Sequence, residues 1–206
     1  MKGIRIYVEG GGKDNETKAA VRNGFDLFFR TLKDLARKKS LEWRVVACGS
    51  RSEAFRAFCR DLKHYPETFN VLLVDSEGPI SARANPWNYL ASRDHWKQPD
   101  ATNDQCHLMV QFMESWFVAD LTALSQFYGH HFNARALPHN ANIEAIAKKD
   151  VERSLKQATK NTSKGGYHKI RHGAEILGMI DAQRVRAASR FCDRLFRTVE
   201  SQIQAM

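Results

Sequence analysis

The stretch Val71-Leu72-Leu73-Val74-Asp75-Ser76-Glu77-Gly78-Pro79 constrains the fold more than any other part of the chain. Four consecutive branched apolar residues suit a strand covered on both faces, as in a parallel sheet, and the Gly-Pro pair forbids its continuation. Asp75 and Glu77 are therefore expected at the carboxyl edge of that strand, where open α/β sheets bind ligands. Residues two apart in extended chain share a side, so both carboxylates are expected to approach one point. Carboxylates that close repel unless a cation or a shared proton separates them, which points to a divalent metal site. The competing reading is local, with one acid capping the segment that follows.

The preceding residues repeat the same design. Residues 4–8 alternate apolar and polar with β-branched weighting and stop at Glu9-Gly10-Gly11-Gly12, a first strand ending in an acid. Across residues 17–38, Ala20, Val21, Phe25, Phe28, Phe29, Leu32, Leu35 and Ala36 recur at helical spacing, which predicts one amphipathic helix. Residues 43–47 read as a second strand, and Ser52 as the cap of a helix whose apolar face carries Ala54, Phe55, Phe58, Cys59 and Leu62. Strand, helix, strand, helix, strand is the signature of a parallel sheet with right-handed crossovers. Glu9 and Asp75 then share an edge, and each is placed there by its own strand ending, which strengthens the metal reading.

Residues 81–105 are polar and irregular, with Asn85-Pro86 opening a short helix, and read as a flap near the acidic edge. Residues 107–113 are apolar enough for a fourth strand that ends in Glu114, either a third carboxylate near the site or a first-turn acid favoured by the helix dipole. Asp120 caps the next helix. Beyond Gly129 the chain turns helical and basic, with helices expected over residues 143–147, 151–159, 174–180 and 182–203 and Asn142, Asp150 and Asp181 as caps. Between them residues 162–173 form a glycine-hinged basic loop. The expected architecture is α/β: a mostly parallel sheet flanked by helices over residues 1–129, with a basic helical extension over 130–206 packed on it as one unit.

A net charge of +9 on 206 residues favours a polyanionic partner, nucleic acid before membrane, because no basic amphipathic helix with a bulky apolar face stands out. A solvated charged face accounts for Lys148, Arg153, Arg184, Arg186, Arg194 and Arg197 equally well. The four cysteines have no zinc spacing, and no run reaches membrane-spanning length, so a cytoplasmic protein with reduced thiols is expected.

Tyr7-Val8-Glu9-Gly10-Gly11-Gly12, Leu72-Leu73-Val74-Asp75-Ser76-Glu77 and Met113-Glu114-Ser115-Trp116-Phe117-Val118-Ala119-Asp120 together resemble a bacterial family of unknown function with a Toprim-like fold, domain-of-unknown-function family 4276. Tyr167-His168-Lys169 and the run from Ile180 through Arg186 fit the same resemblance, which covers nearly the whole chain and is specific as a set. Toprim domains are the catalytic modules of topoisomerases, primases and overcoming-lysogenization-defect type nucleases, with a Glu after the first strand and Asp-x-Asp after a later one holding magnesium. The resemblance puts that Glu at Glu9 and the acidic pair at Asp75 and Glu77, Glu standing where the second Asp is usual. It implies Mg2+ or Mn2+ as cofactor and phosphodiester hydrolysis of nucleic acid as reaction, with Glu9 as metal ligand or general acid or base. Lys169, with Arg171 or His172, is implied as the group for phosphate contact or leaving-group stabilisation; without the resemblance Lys169 reads as a solvated loop lysine.

Gly10, Gly11 and Lys13 either cradle a phosphate or form a simple turn. The sequence contains no Gly-x-x-x-x-Gly-Lys-Ser/Thr loop, so a separate AAA or ABC type ATPase is the implied partner, in the setting of bacterial defence. The alternative is a non-catalytic nucleic-acid or nucleotide-binding component of such an ATPase complex.

Overall fold

In the computed structural model, which describes residues 2–12 and 14–206, the apolar run lies in β3 (Thr68–Asp75) with Val71, Leu72, Leu73 and Val74 fully buried. Val71 and Leu73 join Ile4, Ile6 and Val8 of β1 (Gly3–Val8) in one core, while Leu72 and Val74 join Tyr7 in a second core on the opposite face. Each such side chain contributes about 1.5–3 kcal/mol on burial, which is why an unbroken apolar run selects a two-sided strand. β1 pairs in parallel with β2 (Glu42–Ala47) and with β3, and β3 pairs in parallel with β4 (Cys106–Met109). The described residues thus form an α/β fold around an all-parallel sheet in the order β2-β1-β3-β4, which bears out the expected fold class.

Helices cover both faces. The first core is closed by α1 (Asn15–Phe28), α2 (Arg30–Lys38) and several later helices; the second by α3 (Arg51–His64) and α4 (Pro86–Asp94). The later elements are α5 (Glu114–Phe117), α6 (Leu121–Tyr128), α7 (Lys148–Thr159), α8 (Lys169–Met179), α9 (Ala182–Ala188) and α10 (Arg190–Ala205). From α10, Phe196 meets Phe28 edge-on at 5.7 Å, and Phe28 stacks on Trp116 at 4.8 Å, so the helical extension shares the core of the sheet. A methyl group at Gly24 of α1 would lie 2.4 Å from the carbonyl oxygen of Ala174. That absence of a side chain lets α8 lie against α1 and brings its first turn to the carboxyl edge of the sheet. No helix among the described residues is long and apolar enough to cross a membrane.

Several expected boundaries move. The single helix over residues 17–38 is interrupted at Phe29, so that Phe28 and Phe29 both enter the core. Ser50, not Ser52, caps α3: its hydroxyl accepts from Glu53 N–H at 3.3 Å while Glu53 Oε2 accepts from Ser50 N–H at 2.8 Å, a reciprocal pair that Ser52 cannot make from inside the helix. The fourth strand stops at Met109, and the carbonyls of Met109 and Gln111 accept from the N–H groups of Ser76 and Glu77 in the turn after β3. Asp150 lies in the first turn of α7, whose N-cap is Ala147, and pairs with Arg153 at 2.7 Å. The helix over residues 182–203 breaks at Ser189, whose hydroxyl accepts from Cys192 N–H and donates to the buried Glu144. Residues 143–147 supply only a 3-10 turn, Ile143–Ala145. The basic loop ends early, since α8 already starts at Lys169.

Candidate metal centre at the sheet edge

β1 and β3 end side by side and deliver Glu9 and Asp75 to one edge, as parallel register requires. Glu9 Oε1 accepts from Asp75 N–H at 3.0 Å. Glu77 completes the group, and one carboxylate oxygen from each of Glu9, Asp75 and Glu77 lies within 4.8 Å of the other two. The expectation that strand alternation brings Asp75 and Glu77 together fails in its reason, however. β3 stops at Asp75, and Glu77 adopts the left-handed conformation with φ of 64°. A turn, held by the Glu77 N–H to the Gln111 carbonyl at 2.7 Å, folds the second acid back over the first.

Asp75 is 2% exposed and its Oδ1 accepts from Met113 N–H at 2.8 Å. Burial, and then the negative charge of Glu9, push its carboxyl well above the usual carboxylate range, against the pull of Lys169. The donor set consists of hard oxygens, and opposite ligands of one magnesium or calcium ion stand about 4–5 Å apart, so the cluster fits a divalent cation with little movement.

Cations border the acids on three sides. Arg51, from the first turn of α3, lies 3.7 Å from Glu9 Oε2 and donates to the Asp75 carbonyl, while its fork is anchored on Asp94 at 3.0 and 2.8 Å. Lys148, at the start of α7, reaches Glu77 at 2.5 Å, and its own N–H donates to Gln111 Oε1 at 3.0 Å. Lys169, at the start of α8, lies 3.5 Å from Glu114. Partial burial works against its charge, but Glu114, Asp75 and Glu9 outweigh it and raise the ammonium above its ordinary pKa. Glu114 is buried outside the cluster of three: one oxygen accepts from the Tyr167 hydroxyl at 2.9 Å and the other has no hydrogen-bond partner among the described residues. It is thus a first-turn acid of α5 that also anchors Lys169. Burial, and then Glu114, raise the Tyr167 phenol above its ordinary pKa.

A cavity of about 400 Å³ opens over these groups between α1 and α8. The three acids, Gly10, Gly11, Gly12, Arg51 and Lys169 line its polar side; Ala20, Val21, Met113, Ile170 and Ala174 line its apolar wall.

Other expected site residues fall elsewhere. Gly10 borders the cavity, but its N–H donates to the Gly49 carbonyl at 2.7 Å, so it cannot cradle a phosphate. Gly11 has φ of 87°, and a methyl group there would lie 2.6 Å from Lys18 Cα, which makes it a turn residue under close approach. Lys13 lies outside the described residues. Arg171 is exposed on α8 and does not line the cavity. His172 is buried beside Tyr128, whose hydroxyl lies 3.0 Å from Nδ1, while the same nitrogen accepts from His168 N–H at 3.2 Å. Burial, with the charges of Arg171, His168 and Lys164, lowers its pKa, so it serves packing instead of phosphate contact.

Trp116, Phe117, Phe127 and Tyr128 are core residues. Much of the basic stripe is paired: Arg184 with Asp120, Arg186 with Asp193 and Glu200, Arg194 with Asp104, and Arg197 with Asp193. Sequence reasoning missed Arg51, because taking Ser52 as the cap left it outside the helix; with Ser50 as the cap, Arg51 opens a helix leaving the same sheet edge. It saw Lys148 only as part of a basic face, and nothing local marks its reach to Glu77.

A profile of the family described as Domain of unknown function (DUF4276) matches residues 8–200. No curated protein and no solved structure matches the chain.

Proposed function

The chain belongs to the DUF4276 family, and we propose that its acidic cavity hydrolyses phosphodiester bonds of nucleic acid with a bound magnesium or manganese ion, in the manner of Toprim domains. The observation that carries this reading is the convergence of Glu9, Asp75 and Glu77, from two adjacent strand ends and a turn, on one point within 4.8 Å. An ion held there supplies Lewis-acid charge to a phosphate and a bound water of lowered pKa. Glu9, oriented by Asp75 N–H and Arg51, and Asp75, oriented by Met113 N–H, would hold the ion. Glu77, now paired with Lys148, would be the third residue to hold the ion. Lys169, held by Glu114 and facing the same cavity, neutralises charge on the phosphate as the leaving oxygen departs. A separate ATPase as partner belongs to the same reading.

One observation favours the non-catalytic alternative: Lys148 already neutralises Glu77 at 2.5 Å. Thermal unfolding with and without manganese separates the two. At a hundredfold excess over Kd a bound ion stabilises by about 2.7 kcal/mol, a rise of roughly 5–10 °C for a chain of this size. Asp75→Asn is expected to lose that rise, together with any manganese-dependent cleavage of single- or double-stranded oligonucleotides. The absence of a metal-dependent rise in the wild type at millimolar manganese overturns the reading.

A further inference from the structure

The shape of the cavity narrows the substrate, on the premise that the acids hold a metal. Asp75 forms its floor and is 2% exposed, so a reacting phosphate must descend between α1 and α8 to meet it. Pockets that engulf small ligands begin at about 300 Å³, so at about 400 Å³ this one matches a single small unit, and a paired base would have to bring its partner into the same space.

Its two sides differ in chemistry. Acids and cations lie at the floor, while Ala20 and Val21 from α1 and Ile170 and Ala174 from α8 form an apolar wall above them. Ile170 is 67% exposed, directly after Lys169, so the start of α8 offers a cation and an apolar side chain to the same space. Enzymes that act on unpaired bases seat them against such apolar side chains.

We propose that the cavity takes one nucleotide with an unpaired base, its phosphate at the acidic floor and its base against the wall formed by Val21, Ile170 and Ala174. The unit comes either from a single strand or from a free nucleotide, since both present the same chemistry.

The test uses the full chain loaded with manganese and a short single-stranded DNA carrying non-hydrolysable linkages. The strand is expected to bind at least about tenfold more tightly than the same sequence folded into a blunt hairpin. Competition by adenosine monophosphate identifies a free nucleotide as sufficient; failure to compete identifies the strand as the source, and either result supports the proposal. Ala20→Trp and Ile170→Asp alter exposed residues that border the cavity, so the fold should survive. Both are expected to weaken strand binding at least about tenfold while manganese binding, read by paramagnetic resonance, is unchanged.

Equal affinity for the hairpin, no binding of strand or nucleotide, or undiminished strand binding by both variants, each with manganese bound, overturns this inference alone. A wild type that fails to bind manganese overturns the metal reading beneath it.

Discussion

Asp61 and Asp75 are both buried aspartates close to β1 and β3, and their surroundings drive them in opposite directions. Asp61, on α3, lies 3.0 Å from the Tyr7 hydroxyl and accepts from Arg60 Nε at 2.7 Å. Burial pushes its pKa up, but Arg60 and Tyr7 more than offset that and hold the carboxyl below its ordinary value. Asn70 belongs to the same network: its Oδ1 is 3.0 Å from that hydroxyl, and its amide donates to the Tyr65 and Thr68 carbonyls. Asp75 is buried more completely, and burial, then the negative charge of Glu9, outweigh the pull of Lys169, so its carboxyl is pushed up. A buried acid beside a cation and a hydroxyl keeps its charge, whereas a buried acid set against another acid favours a proton or a cation.

The sharpest way to break this comparison is to neutralise each acid. Asp75→Asn is expected to raise metal-free stability at pH 7 and to cut metal-dependent hydrolysis by at least about a hundredfold, since several kcal/mol of charge stabilisation are lost. Asp61→Asn is expected to leave metal binding intact and lower stability by about 1–3 kcal/mol, as Tyr7 and Arg60 lose a charged partner.

Urea unfolding over a pH series gives the signs. A raised pKa means that the folded chain binds more protons. The metal-free protein therefore loses Asp75-linked stability as pH rises from about the unfolded value of 3.8 through the higher folded one, and the gain from Asp75→Asn vanishes in acid. Asp61 contributes stability above 3.8 that is lost as pH falls through its lower folded pKa.

His107 isolates burial with no acid partner. Burial, and then Arg194, lower its pKa to about 3, so the folded chain keeps it neutral. Stability is expected to be full above the ordinary pKa of 6.5 and to fall towards 3, by at most about 1.4 kcal/mol per pH unit. An unchanged pH slope in His107→Gln would contradict that assignment.

Tyr7→Phe should cost about 1–2 kcal/mol, read by the same unfolding curves, with no effect at the metal site. The smallest effect belongs to Lys148→Met. Removing a half-exposed ion pair worth about 0.2–1 kcal/mol should tighten manganese binding by a few-fold, and weaker binding would show that Lys148 supports the site instead of competing for it.

Local pattern sufficed for much of this. The unbroken run from Val71 to Val74 encodes a two-sided strand, the alternation before Glu9 encodes another, and parallel order then puts both acids at one edge, because strand direction and termination are written in adjacent residues. Asp120, Asn142 and Asp181 were legible as caps for the same reason: each accepts from a backbone N–H two or three residues on.

What only the tertiary structure decided lies at long separation or in turns. Glu77 reaches the cluster through a left-handed turn held by Gln111 and meets Lys148 from 71 residues away. Tyr167 finds Glu114 across 53 residues, and His172 leaves the phosphate contacts because packing against Tyr128 buries it. Side chains in a basic stretch look alike in sequence. Which of them turns inward depends on the helix start and on the neighbour that packing supplies, and hydrophobic periodicity specifies neither.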